Sequence, residues 1–385
     1  MKKLVFRAMT FSVTALLILA LVACGAGVAA EKTKIGFFAP LTGDAMQYGT
    51  MLSDGALLAL EEWNRVNGTN YTVEVFDDKN DQREAVNIAN RIVADPNNIL
   101  GMGSYSSSAS MAAAPVFEDA GMVLLSPSAS HQDFPHMGEY MFSIVISQKY
   151  EGPGFAEAVW EQTGGGKLAV ILQNTDWGVN ASQLFVDRWT ALGGEVLPLE
   201  SFVPGSTTDY SPMLTKLRAQ NPDILYVAAN YDAAGQIFIQ AENLGFEAQY
   251  VGPGLCLLED FLEVLGGNAE GTIVLSSIPT FIKSVMDNNP QTDATRKFVA
   301  DFNAKYGRNP NGFAAQGFDA MNIILGIIDE VGTDSDAIRD ALAALRSYDG
   351  VSGFNMMFND TKEMVKGIYV FEVKDNNFLQ IKPEV

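Results

Sequence analysis

The sequence predicts an α/β protein built of two doubly wound parallel-sheet units. Two observations carry this. Short apolar runs ending in turn residues alternate with stretches of helical periodicity. The alternation also runs through twice, with a weak boundary near 147–154. The first series opens with a strand at 34–40, apolar throughout and closed by Pro40. A helix at 45–66 follows, with Leu52, Ala56, Ala59, Leu60 and Trp63 on one face and Asn67-Gly68 as its stop. Then come a strand at 71–77, a helix at 83–94, a strand at 99–102, a helix at 106–120 and a strand at 122–125. The second series reads as strand 168–173, helix 177–192 closed by Gly193-Gly194, strand 195–203, helix 209–220, strand 223–228, helix 232–244, and strands 249–251 and 272–276. Helices at 292–306, 313–331 and 335–346 come next. A hairpin of 366–373 and 378–381, turned by Asp375-Asn376-Asn377, ends the chain. The part after 276 is too short and too helical for a third α/β unit, so it is expected to complete the other two.

Composition narrows the function classes. Of 385 residues, 48% are apolar, enough for full-sized cores, which excludes a largely disordered chain. A formal net charge of −21 repels phosphate backbones and anionic lipid, so nucleic acid is not expected as a partner, nor is a polybasic membrane grip. Two cysteines, Cys24 and Cys256, exclude a disulfide framework and a cysteine zinc site.

The first thirty residues read as an address. Lys2, Lys3 and Arg7 precede an apolar run at 8–23, the pattern of a secretory signal peptide and short for a membrane-spanning helix. The run ends in Leu21-Val22-Ala23-Cys24-Gly25, which resembles the bacterial lipobox, where a cysteine is acylated and becomes the new N-terminus. The alternative is cleavage after Ala29-Ala30, with Cys24 discarded. Acylated Cys24 would tether the protein outside the cytoplasmic membrane through lipid alone. Cys256 is expected to be a buried small hydrophobe. After residue 30 no run approaches 18 apolar residues.

In open parallel sheets, ligands bind beyond the carboxyl ends of the strands. Three sets of residues stand there. Gly103-Ser104-Tyr105-Ser106-Ser107-Ser108 runs into a helix, and hydroxyls with free N–H groups at a helix N-terminus suit a carboxylate. Tyr105 in this loop is placed to crowd a pocket and select against bulk. Ser126-Pro127-Ser128-Ala129-Ser130 follows the strand at 122–125 and is expected to face the same crevice. Tyr48, Trp177 and Tyr231 follow the ends of three strands, where aromatics cap an apolar ligand. A serine hydrolase built on 104–108 would need a base, which only His131 or His136 supplies, and the second glycine of a nucleophile elbow is missing. A metal site on His131, Asp133 and His136 competes with a plain solvated loop. Neither enzyme activity nor a cofactor is expected.

These residues are similar to those of the leucine/isoleucine/valine-binding proteins, the extracytoplasmic solute receptors of branched-chain amino-acid ABC transporters. The likeness covers nearly all of 33–380. It rests on 35–43 with Gln47-Tyr48-Gly49, Asp77-Asp78, Ser106-Ser107-Ser108, Pro115, Gly121 and 126–130. It continues with Asp176-Trp177-Gly178, Asp209-Tyr210, Pro222-Asp223, Gln240-Ala241, Leu244-Gly245 and Phe318-Asp319-Ala320. The resemblance implies the type I periplasmic-binding fold, with two lobes joined by three crossovers. Lobe one would hold 31–148 and 277–352, and lobe two 149–276 and 353–385. It implies that Ser107 and Ser130 hold the ligand carboxylate and that the Ser128 carbonyl accepts from an ammonium. Tyr48 and Trp177 stand where relatives place aromatics, and Tyr231 is the likelier contact beside Asn230. It implies capture of a small amphiphilic carboxylate, foremost an apolar amino acid, by lobe closure, with delivery to an ABC permease. The alternative is a sensor or receptor for another carboxylate, amide or aromatic acid.

One position departs from the family. Amino-acid receptors often carry an acid after Gly-Pro, and this chain has Gly252-Pro253-Gly254. An ammonium buried without a carboxylate is costly. Either Glu259 or Asp260 replaces the missing acid, or the ligand has no free ammonium; Asp176 is a third candidate, but it is expected rather to cap the helix beginning at Trp177.

Overall fold

The computed structural model describes residues 33–277, 281, 292–353, 356–364 and 367–382; the stretch read as a signal peptide, with Cys24, lies outside them. The first sheet comprises β1 (Lys34–Ala39), β2 (Thr72–Asp77), β3 (Asn98–Gly103), β4 (Leu124–Ser126) and β5 (Met141–Ser143). All are parallel, in the order β2-β1-β3-β4-β5. Helices α1 (Met46–Asn67), α2 (Gln82–Ala94) and α3 (Ser107–Asp119) cross over between the strands. Parallel strands buried on both faces read as near-continuous apolar runs, as β1 and β3 do. One core forms on each face. Phe38, Ile88, Ile92 and Phe117 fill one, beneath α2 and α3. Ile35, Phe37, Leu52 and Met102 fill the other with side chains from late in the chain.

Lobe two begins with α4 (Gln148–Thr163) and continues with β6 (Lys167–Gln173), α5 (Asp176–Ala191), β7 (Glu195–Val196), β8 (Glu200–Phe202), α6 (Ser211–Arg218), β9 (Ile224–Ala228), α7 (Tyr231–Asn243), β10 (Gln249–Gly252), α8 (Glu259–Leu265) and β11 (Ile273–Ser276). Helices α9 (Asp293–Tyr306), α10 (Gly312–Val331) and α11 (Ser335–Ala343) return to the first sheet. Strands β12 (Tyr369–Lys374) and β13 (Asn377–Lys382) then add an antiparallel edge to the second sheet. The order there is β13-β12-β11-β10-β9-β6-β7, with β8 also on β6. Asp375 and Asn376 turn the hairpin with φ of 51° and 54°, the left-handed conformation that Asn and Asp tolerate.

Several expectations change. The weak boundary at 147–154 is the first turns of α4, with Pro153 inside it. Gly152 and Gly154 are packing positions. A Cβ at Gly152 would sit 2.7 Å from Leu184 Cβ, and one at Gly154 2.2 Å from Ile368 Cδ1. The strand expected at 195–203 is two short strands, because Pro198 between them has no N–H to donate to a ladder. Thr175, rather than Asp176, caps α5: its Oγ1 accepts from the Gly178 N–H at 3.1 Å. The helix expected at 335–346 stops at Ala343. Met356, Phe358 and Met364 still belong to the first sheet's core, so the chain stays with that sheet past 352. Cys256 is fully buried and free. Among the described residues, no helix is long and apolar enough to cross a membrane.

Helices α1 and α10 meet backbone to backbone. A Cβ at Gly55 would lie 1.9 Å from the Ala314 carbonyl oxygen, and one at Gly317 2.0 Å from that of Leu52. Gly317→Ala is therefore expected to lower the unfolding free energy by about 1–3 kcal/mol, since overpacking forces the helices apart. Urea denaturation checks this, and an unchanged midpoint would show that the helices yield freely.

Candidate functional site

The carboxyl ends of both sheets open onto one cleft. From the first sheet, the loop after β3 brings Tyr105, Ser106 and Ser107, and the loop after β4 brings Ser128 and Ser130. From the second, β6 ends in Gln173 and leads to Thr175 and Trp177. Asn230 follows β9, Leu255 follows β10, and Ser277 follows β11. The cleft comprises two adjoining cavities that share Ser128, Trp177 and Leu255. Their empty volumes, open mouths included, are about 470 and 480 Å³.

The first cavity carries most of the hydroxyl and amide side chains of the cleft. Ser106 caps α3, its Oγ accepting from the Ala109 N–H at 3.4 Å, and Ser107 opens the helix on the cavity wall. Ser107 Oγ accepts from the His131 N–H at 3.3 Å, which draws the two serine loops together. Ser126 strengthens that link. Its Oγ donates to the Ser104 carbonyl at 2.9 Å and accepts from the N–H groups of Ser128 and Ala129. Ser104 itself is fully buried and donates through Oγ to Asp78. Burial pushes the Asp78 carboxyl up to about 6, against the pull of the Ser104 hydroxyl and the Asn80 N–H.

The second cavity is mostly apolar. Val145, Ile146, Phe155, Leu255 and Phe313 form its walls, and Ser130, Glu151 and Gln316 are among its polar lining. Burial pushes the Glu151 carboxyl up to about 7, partly offset by the Ser277 hydroxyl, which donates to it at 2.7 Å. Gln148 joins the walls. Its N–H donates to the Ser130 carbonyl at 2.9 Å, and its Nε2 donates to the Trp177 carbonyl at 3.1 Å.

Hydrogen bonds cross the cleft. The Tyr105 hydroxyl donates to Asn230 Oδ1 at 2.9 Å. The Tyr48 hydroxyl accepts from the Tyr231 N–H at 2.9 Å and donates to the Leu255 carbonyl at 3.3 Å. Ser108 Oγ accepts from the Asp176 N–H at 3.3 Å.

Of the expected site residues, Tyr105, Ser107, Ser128, Ser130, Trp177 and Asn230 line the cleft. Tyr48 and Tyr231 do not line it. Tyr48 is fully buried behind Tyr105, their rings stacked with centroids 4.6 Å apart, and Tyr231 meets Tyr48 edge-on at 5.9 Å. They form a supporting layer, so Asn230 and not Tyr231 reaches the wall. Glu259 and Asp260 line a separate depression with Gln47 and Asn309, and Asp176 is exposed, so none of the three candidate acids lines the cleft. His131 Nδ1 accepts from the Asp133 N–H at 3.2 Å, and His136 Nε2 lies 3.8 Å from Glu363. Its backbone N–H, rather than its ring, is what joins His131 to Ser107.

Sequence reasoning missed Gln173, Leu255, Phe313, Gln316 and Glu151. A polar residue closing the apolar run at 168–173 was the available signal for Gln173, whose Oε1 accepts from the Asn230 N–H at 3.1 Å.

A family model for periplasmic binding proteins matches residues 32–377. The chain belongs to the periplasmic binding protein family. It is 26% identical over 323 residues to a leucine-, isoleucine-, valine-, threonine- and alanine-binding protein of Pseudomonas aeruginosa, covering 82% of this chain and 83% of that one. A branched-chain amino acid transporter substrate-binding protein of Streptococcus pneumoniae, solved with isoleucine, is 25% identical at a TM-score of 0.81, covering 92% of this chain and all 100% of that one. A solute-binding protein of Rhodopseudomonas palustris, solved with 3,4-dihydroxybenzoic acid, shares the fold at a TM-score of 0.78 and 20% identity, over 91% and 96% of the two chains. This family member is thus a solute-binding protein with that fold's two lobes, similar to the leucine/isoleucine/valine-binding proteins.

Two expectations follow from the geometry. Folded Asp78 keeps a proton that the unfolded chain, near the ordinary value of 3.8, releases. Its contribution to stability therefore falls as pH rises from about 4 to 6, by about 3 kcal/mol. In urea titrations Asp78→Asn should lose that part of the pH slope; an identical slope would place the proton elsewhere. Tyr48→Phe removes two bonds made only across the closed cleft and should weaken ligand affinity roughly 3–10-fold in calorimetry. Full affinity would mean that closure does not depend on them.

Proposed function

We propose that this chain is an extracytoplasmic receptor that captures a small amphiphilic carboxylate, foremost an apolar amino acid of the branched-chain type. The observation that carries this reading is one cleft in which two serine loops at a helix N-terminus adjoin an apolar wall. The N-terminus of α3 and the hydroxyls of Ser107 and Ser130 offer charge-assisted hydrogen bonds to a carboxylate. Phe155, Leu255, Phe313 and Trp177 offer cover to an aliphatic side chain. Micromolar affinity corresponds to about 8 kcal/mol, which a few such bonds and one buried side chain supply. Each lobe brings part of the wall, so ligand favours the closed form. The closed receptor then delivers its ligand to an ABC permease, tethered to the membrane by acylated Cys24. Binding and release need no covalent step and no cofactor.

Calorimetry on protein refolded to strip carried-over ligand tests the reading. Leucine, isoleucine, valine, alanine and phenylalanine are titrated against wild type and Ser107→Ala. At least one should bind with micromolar strength, and Ser107→Ala should weaken it roughly tenfold. If none binds while benzoate-type acids do, the cleft belongs to an aromatic-acid receptor on the same fold.

A further inference from the structure

The charge on the cleft wall raises a question that the fold leaves open. Among the described lining residues of both cavities, Glu151 is the only charged side chain. Its hydrogen bond among the described residues comes from a neutral hydroxyl, Ser277 Oγ at 2.7 Å. One neutral donor is poor compensation for a carboxylate withdrawn from water. Among the described residues no cation stands on that wall, so a positively charged group entering the cavity would meet the carboxyl unopposed.

A second observation points the same way. Gln316 is 5% exposed and lines the same cavity, and its Oε1 is buried without a hydrogen-bond partner among the described residues. A buried acceptor left unpaired costs roughly 1–3 kcal/mol and calls for a donor. Two acceptors on one small cavity, one of them a carboxylate, match an ammonium group, which offers three N–H donors and a positive charge. Gly254 lines this cavity too, but a Cβ there would lie 3.0 Å from Ser276 Oγ and 3.3 Å from the Leu275 carbonyl. An acid on that loop would have to displace its neighbours. Glu151 reaches the cavity from α4 instead.

We propose that Glu151, with Gln316 on the same cavity wall, seats the ammonium group of a zwitterionic ligand whose carboxylate lies on the serine loops. The proposal rests on the reading of the cleft as a receptor for an amphiphilic carboxylate. It narrows the ligand class to amino acids and excludes deaminated or aromatic acids. It also ties recognition to closure. Glu151 stands on lobe two and Gln316 on α10, which packs with the first sheet, so an ammonium touches both only when the lobes meet.

The test is calorimetry on the full chain, refolded to strip ligand. The probes are leucine, isoleucine, valine, alanine and phenylalanine, each paired with its deaminated acid. Wild type should prefer the tightest amino acid over its deaminated acid by at least 30-fold. Glu151→Gln should lose at least 30-fold for the amino acid while binding the deaminated acid within threefold of wild type. Gln316→Leu, which removes an unpaired group and so tests the seat without threatening the fold, should lose at least fivefold for the amino acid only. If wild type binds the amino acid and both variants match it within threefold, the ammonium seat is overturned and the receptor reading stands. Equal wild-type affinity for the deaminated acid also overturns the seat, leaving a carboxylate receptor. If wild type binds neither class, the receptor reading falls and the seat with it.

Discussion

The first N–H of α7 donates to a tyrosine hydroxyl of the opposite lobe, and the first N–H of α5 donates to a serine hydroxyl of that same lobe. The initial N–H groups of any helix lack partners within it and need acceptors from elsewhere. Here Tyr48 and Ser108 supply them from across the cleft. Much else follows from this. Asn230 precedes α7 in the position of a cap, yet its side chain makes no capping bond; its Oδ1 accepts from Tyr105 instead. Tyr48 and Tyr105 must then lie flat on each other to reach their separate partners, and Phe313 packs edge-on against both at 4.9 and 5.8 Å.

Such contacts suit a receptor that opens and closes. Each is a hydrogen bond worth roughly 0.5–1.5 kcal/mol net, because water takes over the same groups when the lobes part. A handful of them leaves the open and closed forms within a few kcal/mol of each other. A ligand touching both lobes then decides between them. The wall itself is stiffer than the closure. Ser126, Gln148 and Asp78 fix the two serine loops and Trp177 from behind, through bonds that involve no ligand.

Much of this was legible in the sequence. Buried parallel strands are continuous apolar runs between helices of clear periodicity, so the alternating order and both series could be read directly. The serine loops were legible too, since four serines within five residues exceed what one cap requires. The parts that escaped share a cause. Gly152, Pro153 and Gly154 fall in the stretch read as the boundary between the two series, and their packing role appears only where α4 presses on Leu184 and Ile368. Reading that stretch only as a boundary concealed the helix and Glu151 with it. Tyr48 and Tyr231 were recognised as aromatics near the cleft, but sequence does not say which ring faces the cavity and which stands behind. Gln316 lies in an apolar helix expected to be core, and its place on the wall depends on how the lobes meet.

The acidity of the chain bears on that wall. A protein at −21 has little need of another buried carboxyl. Burial disfavours the charge on Glu151, and replacement by glutamine would relieve it with the same shape. On stability alone the carboxyl is a poor choice, as is an amide oxygen at Gln316 without a donor among the described residues. Both costs fall on one cavity in the cleft of a solute-binding fold, with an apolar surface around them. Sites that depart from the most stable choice in this way are where folds keep their function. A donor of positive charge, brought in by the ligand, removes both penalties at once, and that gain is available only in the closed form.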